Sequence, residues 1–362
     1  MKIVFLSAVR YRSVISGRTK QLALELARLG HVVFFVELPS IRNFRLPPFH
    51  LREEDGVHIV TLPPFPFSRR LMSTVIGTAW GAIAGLILKR SIPKLSTDVN
   101  MVISTPWWCR FVENNGFSAV AYDCIDHVSV HEGGKFFSVM EGWEQSLLRI
   151  SRNIFIIRDH MAKVIPLNSI GKVHVVPNGV PSAWMVAGKS SMMLPPTGQK
   201  PRIGFVGSIY EWIDQDLIVQ TARLLPDYQF ILIGPLRREV SVERLRAEPN
   251  IELCPPIPFE KVPSAIRSFD VCMMPFTQDV ISEWADPLKL YEYLAMGKPV
   301  VSTVNFNQEA PVFIGRTAAE FSDQIARALM ASGEVDIARR QGFAAQYTWR
   351  KQAEKMALAL ES

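Results

Sequence analysis

The sequence predicts an α/β protein with two Rossmann-like domains, whose parallel sheets face each other across a cleft. Apolar strand-like runs alternate with helical stretches along the whole chain of 362 residues, which is the pattern of parallel sheets. The length suits two domains better than one. Residues 181–200 separate the halves, because their three prolines, two glycines and four serine or threonine residues are typical of a linker.

Each half contains its own series of predicted strands and helices. In the first half the strands lie at 2–7, 32–36, 57–62, 99–104, 118–123, 154–157 and 173–176. In the second half the strands lie at 202–206, 228–233, 250–254, 270–274 and 299–302. The clearest predicted helices are 17–29 in the first half and 214–225, 260–268 and 287–296 in the second. Ligands of such sheets bind beyond the carboxyl ends of the strands, so we expect functional residues in the loops there.

The two halves differ in charge. Residues 1–180 hold 21 Lys and Arg against 13 Asp and Glu, a balance of +8, whereas residues 181–362 hold 19 against 21, a balance of −2. The basic first half either binds an anionic surface or acceptor, or simply presents a solvated basic face. Nucleic acid is disfavoured as a partner, because the chain has no nucleic-acid-binding motif and no run of interleaved basic and aromatic residues.

The cysteines and the N-terminus bear on the compartment. Cys109, Cys124, Cys254 and Cys272 form no CxxC pair and have no metal-ligand spacing. We therefore expect reduced thiols and a cytosolic protein. The chain begins with a strand and shows no signal-peptide pattern.

One uncharged segment allows three interpretations. Residues 71–88 contain no charge and are bracketed by Arg69–Arg70 and Lys89–Arg90. The length of the segment admits a transmembrane helix, but its glycines, serine and threonines keep its hydropathy modest. Gly77, Gly81 and Gly85 are spaced for close helix packing. The segment is a buried helix, a helix on a membrane surface or a membrane span.

The most informative segment runs from Asp286 to Ser302. Its pattern predicts a loop, a helix that begins at Pro287, a turn at Gly297 and a buried strand. Lys289 and Glu292 share one face of the helix. A helix N-terminus with a lysine beside it suits a diphosphate, and a glutamate one turn later can accept hydrogen bonds from ribose hydroxyls. An exposed i,i+3 ion pair is the alternative interpretation.

This segment resembles the donor-site motif of GT-B glycosyltransferases, retaining family 4, in the form found in teichuronic-acid and capsule-type members. The opening strand, glycine loop and helix, the Val176–Val180 turn and the strand Arg202–Ser208 resemble the same family. The resemblance implies an acceptor-binding domain over 1–180 and a nucleotide-sugar-binding domain over 201–344. It also implies that a C-terminal helix in 345–362 crosses back to the first domain.

The resemblance implies a set of donor-binding residues. They are Gly17, Gly207, Ser208, Ile257, Pro287, Leu288, Lys289 and Glu292. Many relatives carry a further glutamate eight residues before Glu292, where this chain has Trp284, so that role does not transfer. The basic residue that follows Ser208 in many relatives is also absent, and Arg237 or Arg238 is a possible substitute.

Asp123-Cys-Ile-Asp-His127 follows a predicted strand and resembles a further motif of the family. Its catalytic candidates are Asp126 first, His127 second and Asp123 third. They would orient an acceptor hydroxyl or stabilise the donor sugar. Alternatively, Asp123 and Asp126 cap the following segment.

The resemblance implies a retaining glycosyltransferase that takes a nucleoside diphosphate sugar as co-substrate and needs no metal or other cofactor. The expected acceptor is a glycan or lipid-linked saccharide in cell-surface polysaccharide synthesis, with an anionic membrane surface as a further partner. The alternatives are a nucleotide-sugar 2-epimerase and a non-catalytic nucleotide-sugar-binding subunit. A nicotinamide dehydrogenase is disfavoured, because no GxGxxG follows a strand.

Overall fold

A computed structural model describes most of the chain. The described residues are 1–13, 17–39, 50–65, 74–92, 99–117, 119–126, 137–189, 199–237, 240–278 and 284–362. The chain forms two compact units. The first comprises Met1–Pro177 and Trp349–Ser362, and the second comprises Asn178–Thr348.

The first unit is built on an eight-stranded sheet in the order β3-β4-β2-β1-β5-β6-β7-β8. The strands are β1 Lys2–Leu6, β2 Val32–Val36, β3 His50–Glu54, β4 Val57–Thr61, β5 Asn100–Ile103, β6 Val120–Cys124, β7 Asn153–Ile156 and β8 Val173–Val175. Seven strands pair in parallel, as the alternating pattern predicts, and β3 pairs antiparallel with β4. Strand β3 was not predicted. It is a charged edge strand that joins β4 through Asp55 and Gly56, both with positive φ.

Among the described residues of the first unit there are five α-helices. They are α1 Gly17–Arg28, α2 Val75–Ser91, α3 Cys109–Asn115, α4 Phe137–Ile150 and α12 Trp349–Glu361. Helix α12, within the range 345–362 that was expected to cross back, packs against α1. The Asn100 side-chain amide donates to the Leu360 carbonyl at 3.4 Å, which ties the end of α12 to the start of β5.

Helix α2 covers most of the uncharged segment at 71–88, of which residues 71–73 lie outside the described residues. The Thr74 side chain caps it by accepting from the Gly77 amide. Its glycine face packs on α3, where Asn115 Nδ2 donates to the Gly81 carbonyl at 3.1 Å. In the parts of the chain that the structure describes, no helix is both long and apolar enough to cross a membrane.

The second unit is built on a six-stranded, fully parallel sheet in the order β11-β10-β9-β12-β13-β14. The strands are β9 Arg202–Val206, β10 Gln229–Ile233, β11 Ile251–Cys254, β12 Val271–Met274, β13 Val300–Ser302 and β14 Phe313–Ile314. The α-helices within its described residues are α5 Ser182–Lys189, α6 Gln215–Leu224, α7 Glu243–Arg246, α8 Val262–Arg267, α9 Leu288–Ala295, α10 Ala318–Met330 and α11 Glu334–Ala344. Helix α5 lies inside the range 181–200 that was predicted as a linker, and residues 190–198 are outside the described residues.

Strand β9 lies at the point where the strand order of the second sheet reverses. Its neighbours are β10 on one side and β12 on the other. The pairing with β12 is limited to Ile203 and Gly204, so the two strands separate toward their carboxyl ends. Gly204 makes room for the Phe269 ring, which a β-carbon would approach to 2.0 Å. Such a switch point opens a ligand-binding crevice at the carboxyl end of the sheet.

All four cysteines are free, and three of them are buried. Burial raises the pKa of the Cys109 thiol to about 12, so this thiol stays protonated and unreactive near neutral pH.

Candidate functional site

Helix α9 is fixed at the switch point of the second sheet. Its inner residues Leu290, Tyr291, Tyr293 and Leu294 are buried in the core. The Val206 amide, at the end of β9, donates to the Tyr293 hydroxyl at 2.8 Å. The tyrosine thus satisfies a backbone group where β9 and β12 have separated, and it sets the position of α9 against the strand end.

The two ends of α9 form largely as the sequence predicts. Pro287 occupies the N-cap position and the helix proper begins at Leu288, one residue later than predicted. At the other end Gly297 has φ +73°, and the amides of Gly297 and Lys298 donate to the carbonyls of Leu294 and Tyr293. This is a Schellman motif, which only a residue tolerant of positive φ completes without strain.

Gly207 and Lys289, two of the predicted donor-binding residues, lie against each other. Gly207 follows β9 with φ +148°, and a β-carbon there would be 2.2 Å from Lys289 Cε and 2.5 Å from Nζ. The ammonium group lies 5.3 Å from the centre of the Phe205 ring. The lysine therefore runs across the face of the Gly207 backbone and ends at the carboxyl end of β9.

A second glycine allows this close approach. Gly234 follows β10 with φ +153°, and a β-carbon there would be 2.1 Å from the Gly207 carbonyl oxygen. The Gly207 amide donates to the Ile233 carbonyl at 2.8 Å. The strand ends of β9 and β10 thus approach closely through backbone contacts, and the space beside Gly207 is occupied by Lys289 because positions 207 and 234 have no side chains.

Lys289 and Glu292 are half-buried charges. Burial lowers the pKa of Lys289, and the nearby Glu292 carboxylate opposes this shift. Burial also raises the pKa of Glu292 to about 7, against the opposing effect of Lys289. Among the described residues no ion pair within 4.0 Å joins the two groups, and no side-chain hydrogen bond satisfies either one. Partly buried charges in such a state are stabilised when a group of opposite charge or a hydrogen-bond partner approaches them.

Asp286 anchors the start of α9 to a distant turn. Its carboxylate accepts from the Asn178 amide at 2.7 Å and from the Tyr291 hydroxyl at 2.6 Å. The Asn178 side-chain amide donates to the Asp286 carbonyl at 2.7 Å. The sequence analysis named both segments but missed this link, since nothing in either motif indicates that the other is its partner. The connection makes Asp286 a positioning residue for the Lys289 helix.

The loops after β9 and β10 also meet beside Gly207 and Ser208. The Ile209 amide donates to the Pro235 carbonyl at 3.0 Å, and the Arg237 amide donates to the Ile209 carbonyl at 3.3 Å. The Arg237 guanidinium lies over the Tyr210 ring at 4.5 Å. Arg237 thus lies on the loop after β10 and contacts the loop that follows Ser208, whereas Arg238 is outside the described residues. Ile257 follows the edge strand β11 and is partly buried against the core of the second unit.

In the first unit, Asp123 is fully buried at the end of β6 and binds Arg18. Arg18 Nη2 donates to Asp123 Oδ1 at 2.8 Å, and Arg18 Nε lies 3.1 Å from Oδ2. The remaining guanidinium nitrogen donates to the Pro177 carbonyl at 3.1 Å. Arg18 follows Gly17, the first residue of α1. The contacts give Asp123 the role of orienting Arg18.

Asp126, the first-ranked catalytic candidate, is exposed in the bend that follows β6, and the next residue, His127, lies outside the described residues. Across the described ranges, no group of three or more His, Cys, Asp or Glu side chains is arranged to hold a metal ion.

Comparison with known proteins supports the resemblance. Residues 200–331, within the second unit, match the family described as Glycosyl transferases group 1. A Bacillus subtilis protein named as a putative teichuronic acid biosynthesis glycosyltransferase, TuaH, is 29% identical over 207 residues. The match covers 51% of this chain and 50% of that protein, so the chain spans about half the length of this relative.

Solved structures resemble the whole chain. Anabaena HepE in complex with UDP-glucose matches with a TM-score of 0.69 at 13% identity, over 100% of this chain and 99% of the other. The trehalose-6-phosphate synthase OtsA matches with a TM-score of 0.71 at 11% identity, over 100% and 99%. A glycosyltransferase from Rickettsia africae matches with a TM-score of 0.69 at 12% identity, over 99% and 97%. The predictions of a GT-B fold and of a likeness to group 1 are confirmed.

Proposed function

We propose that this chain, a GT-B protein whose residues 200–331 match the group 1 glycosyl transferases, is itself a glycosyltransferase. It moves a sugar from a nucleoside diphosphate sugar to a hydroxyl of a glycan or lipid-linked acceptor in cell-surface polysaccharide synthesis. The observation that carries this proposal is the contact between Gly207 and Lys289 at the switch point of the second sheet, with Glu292 one turn along the same helix.

We assign the binding of the donor to the second unit. The Lys289 ammonium and the amino end of α9 offset the charge of the diphosphate, and Gly207 places no side chain of its own between Lys289 and the phosphates. The Glu292 carboxylate accepts hydrogen bonds from the ribose hydroxyls. Arg237, on the neighbouring loop, is assigned to the distal phosphate as a substitute for the basic residue absent after Ser208. Because Anabaena HepE binds UDP-glucose, a uridine diphosphate sugar is the first donor to test.

In the chemical step the bond from the anomeric carbon to the diphosphate oxygen breaks, and a bond from that carbon to the acceptor oxygen forms. The leaving diphosphate gains negative charge, which the fixed positive charge of Lys289 stabilises most strongly in the transition state. By resemblance the anomeric configuration is retained and the leaving phosphate oxygen takes the acceptor proton. Asp126 and His127 are assigned to positioning the acceptor hydroxyl.

Transfer is proposed to need no metal ion, since Lys289 and the α9 N-terminus already supply positive charge to the diphosphate. Activity is therefore expected to continue in EDTA, and a loss that Mn²⁺ or Mg²⁺ restores would contradict this part of the proposal. We place the enzyme at the inner face of a membrane, with an anionic surface as its partner. The balance of +8 over residues 1–180 supports that placement.

Two assays on the whole protein test the function. The first measures, by titration calorimetry, the affinity for a panel of nucleoside diphosphate sugars that begins with UDP-glucose. The second measures release of the nucleoside diphosphate with and without extracted lipid-linked or oligosaccharide acceptors. Acceptor-dependent release together with submillimolar donor affinity supports a transferase. Conversion of the donor sugar without any acceptor would indicate an epimerase, and tight binding with no turnover under any condition would indicate a binding subunit.

A further inference from the structure

The buried side of helix α2 in the first unit combines three glycines with Trp80, Ala84 and Leu88. Gly77, Gly81 and Gly85 are buried, and a β-carbon on Gly85 would be 1.8 Å from Asn115 Oδ1. The Asn115 side chain donates to the Gly81 carbonyl at 3.1 Å and to the Phe111 carbonyl at 2.9 Å. At the end of the helix Lys89 Nζ donates to the Asn115 carbonyl. These contacts hold α2 rigidly against α3 and fix which side of α2 faces outward.

The outward side of α2 is apolar. Val75 is 85% exposed, Ile76 63%, Ile83 58% and Leu86 50%. Ala79 and Ala82 are exposed among them, as is the polar Thr78 beside them, and Thr74 to Leu88 includes no charged residue. A surface helix of a globular protein normally turns polar residues toward water. We define the outer face of α2 as Val75, Ile76, Ala79, Ala82, Ile83 and Leu86.

The charged residues closest to α2 in the sequence are basic. Arg90, in the last turn of α2, is exposed. In the sequence, residues 56–97 contain five Lys and Arg, at 69, 70, 89, 90 and 94, and no Asp or Glu. Apolar side chains that enter the acyl boundary together with nearby cations that attract anionic headgroups are the two contributions to peripheral membrane binding.

We propose that the outer face of α2 docks on an anionic lipid surface, with the helix lying in the plane of the interface. The proposal identifies the surface through which the membrane partner of the proposed function is bound, and it rests on that function for its role. Ile83 and Leu86 enter the acyl boundary, while Arg90 stays at the headgroups.

The chemistry of the face favours lipid over a protein. Protein interfaces draw most of their binding energy from Trp, Tyr and Arg at their centres. The outer face has only aliphatic side chains, and the single aromatic residue of α2, Trp80, is turned inward and only 8% exposed. A second copy would pair most readily through the small-residue face. That face is already occupied by Asn115 and α3.

Vesicle flotation of the full chain tests the proposal. The vesicles contain phosphatidylcholine with 30% phosphatidylglycerol, or phosphatidylcholine alone. We expect the wild-type protein to float with the anionic vesicles in 50 mM salt and to be released several-fold in 500 mM salt. Ile83→Asp with Leu86→Asp should weaken vesicle binding at least tenfold. Leu358→Asp is the matched control, since Leu358 is 73% exposed on α12 of the same unit, and it should float like the wild type.

Melting temperature and nucleotide-sugar affinity of each variant separate docking from folding and from the proposed function. Both should match the wild type, because the outer face lies on the surface of the first unit. Wild-type protein that floats with neither vesicle, or a double variant that floats as well as the wild type, would overturn the docking surface. The docking surface would also be overturned if the only effect of the double substitution were to convert a dimer to a monomer in sedimentation. The donor affinity of a Lys289→Met variant, in contrast, tests the proposed function alone.

Discussion

The backbone of Gly207 and the side chain of Lys289 occupy adjoining space, so closely that a single added carbon at residue 207 would overlap Lys289 Cε at 2.2 Å. The two residues come from different parts of the second unit, the end of β9 and the first turn of α9. Their contact places a positive charge beside the backbone at the carboxyl end of β9.

Gly207→Ala should weaken nucleotide-sugar binding about tenfold or more. The loss of affinity is expected because the methyl group would displace the Lys289 chain. The value of φ, +148°, would also add about 1–3 kcal/mol of strain to the folded protein for a residue other than glycine. Gly342→Ala, in α11 of the same unit, is the control, because a β-carbon there meets nothing within 4 Å. Calorimetry that finds equal donor affinity for wild type and Gly207→Ala would mean that Lys289 does not need its present position.

Glu292 should make both stability and donor binding depend on pH. Burial raises its pKa from 4.5 to about 7 in the folded state, so the folded protein binds more protons than the unfolded chain between these values. The free energy of unfolding should therefore fall as pH rises from 4.5 to 7, by at most roughly 3 kcal/mol. Donor affinity should rise over pH 6 to 8, since the ionised carboxylate is the better acceptor for ribose hydroxyls.

Glu292→Gln tests both trends. Its stability should decline less than that of the wild type between pH 5 and 8 in denaturant titrations, and its donor affinity should be weaker and nearly independent of pH. Glu243→Gln, exposed on α7, should behave like the wild type in both measurements. If the wild-type and Glu292→Gln curves run parallel with pH, Glu292 is neither buried as described nor bound to the donor.

Asp286→Ala should lower both stability and donor affinity. It removes the acceptor of the Asn178 amide and of the Tyr291 hydroxyl, and a buried donor left without a partner costs about 1–3 kcal/mol. Tyr291→Phe removes only one of these bonds and should cost about 1 kcal/mol, with little effect on donor affinity. Thermal unfolding of the two variants side by side decides the matter, and an unchanged melting temperature for Asp286→Ala would contradict the anchoring role.

Asp123 and Asp126 lie three residues apart, and substitution of each should affect a different property of the protein. Asp123→Asn should destabilise the protein by about 3–5 kcal/mol, because it leaves the buried Arg18 guanidinium without its counter-ion. Asp126→Asn should leave the melting temperature and donor affinity close to those of the wild type and lower kcat by about 10²- to 10⁴-fold. If Asp126→Asn lowers only the melting temperature, Asp126 is a cap and the acceptor is positioned by another group.

Local patterns predicted much of this fold. The strand β9 and helix α9 form within one residue of their predicted ends, because buried aliphatic runs, Pro287 and Gly297 each act on their immediate neighbours. The edge strand β3 was missed, because its sequence His50-Leu-Arg-Glu-Glu54 has the composition of an exposed loop and forms a strand only beside β4.

The contacts that assemble the site depend on packing that the sequence does not display. Gly207 and Lys289 were each predicted to bind the donor, but their contact requires Tyr293 to reach the end of β9. Asp286 binds Asn178 across a separation of 108 residues, and no spacing rule links them. The glycines of α2 were recognised as a packing face, whereas which side of the helix stays exposed depends on where Asn115 lies.

The measurement that tests the central claim most directly is the donor affinity of Lys289→Met, taken by calorimetry with the tightest ligand of the nucleotide-sugar panel. Lys200→Met is its control, because Lys200 is exposed just before the other end of β9. A charged hydrogen-bonding partner is worth about 1.5–3 kcal/mol, so Lys289→Met should raise the dissociation constant between about 10- and 150-fold while Lys200→Met leaves it unchanged. A folded Lys289→Met variant that binds the donor as tightly as the wild type would contradict the assignment of the donor site.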